Sequence, residues 1–146
     1  MAYDNGEHAL AQRYLIQALD LAKSAGDGPL GAEILAAMSH QATYLGDAAT
    51  AVDLAGAARR TAQSAGVPVL IAEAIVMQAH AYARLGESPA CAASLSKAEQ
   101  ALDRADRSRD PQWIAYLTTR TCRRSSATVS ASSTSQSRLS TSRLGR

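Results

Sequence analysis

Apolar side chains recur along this chain at intervals of three and four. Leu15, Ala18, Leu19 and Ala22 form one stripe, Ile34, Leu35, Met38 and Ala42 a second, and Ile71, Ile75, Ala79 and Tyr82 a third. That spacing gathers each set on one face of an α-helix; it does not alternate as a strand would. Glycine and proline mark the breaks. Gly26 and Gly66 stand where a left-handed residue can end a helix. Pro29, Pro68, Pro89 and Pro111 stand where a first helical turn tolerates a missing N–H. Ser88 and Asp110 each precede a proline and are expected to cap the helices that follow. The pattern predicts helices over 6–25, 29–45, 48–65, 68–85 and 89–105, with a sixth opening near Pro111.

The pattern also repeats. "HQATYLGD" from His40 returns forty residues later as "HAYARLGE" from His80. At that period Gly6, Gly46 and Gly86 superpose, each followed by an acid, and Ala18, Ala58 and Ala98 fall in register, as do Ala25, Ala65 and Ala105. Ala32/Ala72, Glu33/Glu73, His40/His80 and Leu45/Leu85 match in the other half of the unit, without gaps. One unit is then a helical hairpin. Its two helices bury small residues against each other, and neighbouring hairpins bury what remains.

A phrase of an apolar residue, six others, then Tyr-x-x-Leu-Gly-acid, with small and apolar residues at fixed offsets beyond, resembles the tetratricopeptide repeat. Ile75, Ala79, Tyr82, Leu85, Gly86, Cys91, Leu95 and Ala98 carry the likeness best. The preceding unit departs from it, with Ala42 where Tyr is usual and Ala55 where a larger residue packs. The first unit enters halfway, through Ala11, Leu15 and Ala18. Residues 3–116 are also similar in wording to the C-terminal region of actinobacterial helix-turn-helix transcriptional regulators. The resemblance implies an all-α, tetratricopeptide-like solenoid of five to six antiparallel helices. It implies a module that binds a protein or peptide, or associates with itself, as the sensing or dimerising part of a cytoplasmic regulator. DNA would then be bound by a separate domain.

Composition splits the chain in two. Residues 1–117 carry nine Lys/Arg against thirteen Asp/Glu, and residues 118–146 carry six Arg and no acid. The body is therefore a poor surface for phosphates, which require clustered cations. Residues 1–117 read as the helical domain. Fifteen of the last twenty-nine residues are Ser or Thr, a composition expected to stay disordered for want of apolar surface to bury. Two origins for that tail stand open: an Arg-rich nucleic-acid or phosphorylation segment, or GC-rich coding sequence read out of frame from about Leu117. The second would make the chain a decayed fragment of a gene. The helix at 6–25 likewise reads either as a cap or as the continuation of a missing upstream part. With no apolar run of eighteen residues, a membrane partner is not expected. Cys91 and Cys122 lack metal-ligand spacing and suit a reduced cytoplasm.

Chemistry-bearing motifs are few. No phosphate loop, nucleophile elbow or zinc-protease motif is present, so no enzyme, cofactor or metal is expected. His8 lies on a polar helix start and reads as solvated. His40 and His80 occupy equivalent positions, with Glu33 and Glu73 two turns before them and Tyr44 and Arg84 one turn after, on the same face. As a metal site this ladder lacks a third ligand, and as a catalytic pair it lacks a nucleophile. As the lining of a peptide groove it fits, since the first helices of such pairs line the concave surface in tetratricopeptide-like folds. Packing at a helix interface, with no ligand, is the alternative.

Overall fold

A computed structural model describes residues 2–106, 108, 110–114 and 129, with side chains from residue 6 onward. Among them the chain forms five helices: α1 (Ala2–Ala25), α2 (Gly28–Tyr44), α3 (Ala48–Ala65), α4 (Pro68–Leu85) and α5 (Ser88–Asp103). The fold is all-α. A 3-10 turn at Gln112–Ile114 follows where a sixth helix is expected, and Ile114 is fully buried against Val67, Val69, Leu70 and Leu102. The rest of the span expected to form that helix lies outside the described residues. So does the tail at 118–146 with Cys122, except Val129, which packs on Ala79, Ala83 and Cys91.

The four connections use one device at intervals of twenty residues. Gly26, Gly46, Gly66 and Gly86 all have positive φ, between 68° and 87°, a conformation that costs glycine little and other residues more. In each turn the next residue's N–H reaches back five positions: Asp27 to Ala22, Asp47 to Ala42, Val67 to Ala62, Glu87 to Tyr82. Carbonyls that a helix end would leave unpaired are satisfied this way. Gly6, which the forty-residue register aligns with Gly46 and Gly86, makes no such turn, because α1 runs through it.

Helix starts are less uniform. Asp27 accepts from the N–H of Leu30 at 3.0 Å, and Asp47 from that of Thr50 at 3.2 Å. The cap of α5 is Glu87, without a side-chain bond, and Ser88 is already helical. The Ser88 cap is thus displaced by one residue: the six-to-one turn bond at Glu87 sets the boundary before Ser88 is reached.

Links of two or three residues make consecutive helices antiparallel neighbours, α1 on α2 through to α4 on α5, and α2 also packs directly on α4. Small residues bring the axes close. Ala51, Ala55, Ala58 and Ala62 along α3 are all fully buried, and Ser39 of α2 donates to the Ala51 carbonyl across the helix contact at 2.8 Å. Ala58 meets Ala36 and Ala74, and Ala98 meets Ile75 and Val76, so these two alanines that superpose in sequence both lie at helix crossings. Cys91 packs as a small apolar side chain against Ala79 and Ala83. No described helix is long and apolar enough to cross a membrane.

Candidate functional site

Because α2 and α4 lie side by side in forty-residue register, their equivalent residues meet. The His40 and His80 rings stand perpendicular with centroids 6.3 Å apart. Both lie near the C-terminal ends of their helices, where the helix dipole favours positive charge, and Arg84 stands in the last turn of α4. His40, Thr43, Tyr44, His80 and Arg84 line an open groove of about 370 Å³. Tyr44 is 72% exposed and Thr43 donates its hydroxyl to the Ser39 carbonyl, which holds it in place. Burial, and then the neighbouring His40, lower the pKa of His80, so this imidazole is neutral at physiological pH.

Glu33 and Glu73 do not join that lining. They sit two turns earlier, about 10 Å along the helix axes at 1.5 Å per residue, and hydrogen-bond to each other. Burial, the bond to Glu33 and the charge of Glu33 push Glu73 up to about 9. The pair therefore retains a proton at neutral pH and presents less negative charge than two free glutamates. The six residues on one sequence face thus divide into a proton-sharing carboxyl pair and an open groove edged by His, Tyr and Arg.

Two residues at this end were not legible as part of the site. Thr43 completes the groove wall. His8, read as solvated, is half-buried: its ring lies 5.4 Å from that of Tyr44, and its carbonyl accepts from Gln41 Nε2 at 3.0 Å. The start of α1 is thereby fastened beside the end of α2. A long-range ring contact of this kind leaves no spacing signal in sequence.

The groove offers aromatic surface, a guanidinium and imidazole nitrogens that donate or accept. Among the described residues, no group of three or more metal-ligating side chains is assembled. Comparison of the chain with protein-family profiles, with curated proteins and with solved structures returned no match.

Proposed function

We propose that this chain is a non-enzymatic, tetratricopeptide-like module that holds a segment of another protein in the groove formed by His40, Tyr44, His80 and Arg84. The observation that carries the reading is the groove itself. It brings together four side chains from two separate helices, open to solvent and large enough for one or two side chains of a peptide. Tyr and Arg are the residue types that most often anchor such contacts. The forty-residue register and its repeated helical turns support the solenoid reading, since each pair adds the same face to a shared surface. The further reading, as the sensing or dimerising part of a bacterial transcriptional regulator, rests on the resemblance of residues 3–116. A helix-turn-helix reading frame in the adjoining DNA would support it.

The test compares the chain with its Tyr44→Ala/Arg84→Ala variant in capture from a bacterial lysate. His40 and His80 resonances are then followed as the captured partner is titrated. Partners lost with the variant, with both histidines perturbed, support the groove. Equal retention by both proteins places binding elsewhere.

A further inference from the structure

Neither backbone nor packing requires the glycine at position 31. Gly31 lies within α2 and its φ is not positive, so any residue could adopt its conformation. A Cβ there would find its nearest neighbour, the Thr61 methyl carbon, at 3.9 Å, an ordinary contact. Within a helix, glycine is the poorest residue after proline. Its missing side chain opens a pocket of about 230 Å³ among α1, α2 and α3. Leu19, Ala22 and Leu35 give that pocket apolar walls, and Thr61 turns its hydroxyl back to the Ala57 carbonyl at 3.0 Å. The repeat holds the same crevice in filled form. Forty residues on, Ile71 stands at the position of Gly31 and Val67 at that of Asp27. Both belong to the core around Ala62 and Ala101, the counterparts of Ala22 and Thr61. The first crevice thus lacks a branched aliphatic side chain that the second contains. It carries charge instead, from Asp27 and Lys23. Asp27 Oδ1 accepts from the N–H of Leu30 at 3.0 Å, which fixes a carboxylate that can accept further bonds.

We propose that this pocket binds a free branched aliphatic amino acid, leucine or isoleucine, whose side chain takes the place that Ile71 fills one repeat on. The ligand's ammonium meets Asp27 and its carboxylate meets Lys23. Apolar walls with one charge of each sign beside them match an aliphatic zwitterion on every count. A simple amine would leave Lys23 unanswered, and a simple carboxylate would leave Asp27 so. The pocket lies toward the start of α2, whereas His40 and Tyr44 lie toward its end, and the two sites share no lining residue. The inference therefore stands or falls apart from the groove.

Isothermal titration calorimetry of the full chain with L-leucine and L-isoleucine tests it. A dissociation constant on the order of 0.1–1 mM is expected, the range open to so small a ligand. Glycine, with the same charges and no side chain, should bind about tenfold more weakly or worse. Isopentylamine and 4-methylpentanoate, each lacking one charge, should bind about two- to fivefold more weakly than leucine. Gly31→Ile puts into the first repeat what the second carries, and should abolish binding while raising the melting temperature. Lys23→Gln and Asp27→Asn, the latter still a helix cap, should each weaken leucine about two- to fivefold with circular dichroism unchanged. Methyl resonances of Leu19, Leu35 and Thr61 should shift as leucine is added. No binding of either amino acid at several times the expected constant, undiminished binding by Gly31→Ile, or glycine or a single-charge analogue binding as tightly as leucine would each overturn the proposal.

Discussion

Glu33 and Glu73 face each other across the α2–α4 contact and share a hydrogen bond, forty positions apart in the chain. Two carboxyl groups can do this only if one keeps its proton, and Glu73, pushed up to about 9, is the group that does. Its unfolded counterpart ionises near the ordinary 4.5. Between those values the folded chain holds a proton that the unfolded chain has lost. The contribution of the pair is therefore greatest below about 4.5 and declines as pH rises through the window toward about 9. Glu73→Gln keeps a donor for Glu33 and cannot ionise. Urea unfolding should show a flattened pH slope for this variant, with stability near pH 8 raised by on the order of a few kcal/mol over the parent. A variant that retains the parental slope would move the titrating group elsewhere.

Glycine has opposite value at Gly6 and Gly66, although both belong to the repeat. Gly66 has φ of 70° with open space around its Cα, so a methyl group there meets no neighbour and only the backbone objects. Gly66→Ala should cost about 1 kcal/mol, the left-handed penalty of an L-residue. Gly6 lies inside α1, also with open space, and Gly6→Ala should stabilise the chain by up to about 1 kcal/mol through helix propensity. Thermal unfolding of the two single variants reads both signs directly.

The contrast marks what the sequence could and could not convey. Helix boundaries were legible because Gly26, Gly46, Gly66 and Gly86 report a local backbone need that no distant contact alters. Ala58 and Ala98 were legible as crossing points because a forty-residue period sums many weak matches into one register. Gly6 misled for the same reason: it obeys the period, but the preceding residues are helical and no turn forms. The face shared by Glu33, His40 and Tyr44 was readable from spacing. That its acids pair with each other, and that His8 lies beside Tyr44, depends on how helices approach in space.

Helix crossings set limits on side-chain size. Ala58→Leu and Ala98→Leu insert a larger side chain where Ala36, Ala74, Ile75 and Val76 leave no room, and each should cost about 1–3 kcal/mol. Ala93 is exposed on the same helix as Ala98, and Ala93→Leu should change stability by no more than about 0.5 kcal/mol. Chemical denaturation of the three variants measures this. Similar losses at all three would mean that tight packing is not what confines positions 58 and 98.

His80 opposes Glu73 in its response to acid. Burial first, and the facing His40 second, lower its pKa below the ordinary 6.5. The groups around it in the groove are His40, Tyr44 and Arg84, none of them an acid that could hold the imidazolium, and the Glu33/Glu73 pair lies two turns away. On acidification the unfolded chain takes up this proton before the folded chain does. The stability that neutral His80 confers is therefore present above 6.5 and is lost as pH falls through that value and below. In proton–carbon correlation spectra the His80 ring should titrate with a midpoint under 6.5. His40→Gln removes the neighbouring charge but not the burial, so it should raise that midpoint part of the way. A partner segment that brings a carboxylate beside His80 should raise it further, and would then bind more tightly as the pH falls through 6.5. A His80 midpoint unchanged by His40→Gln would leave burial as the whole cause and the 6.3 Å ring pair without electrostatic consequence.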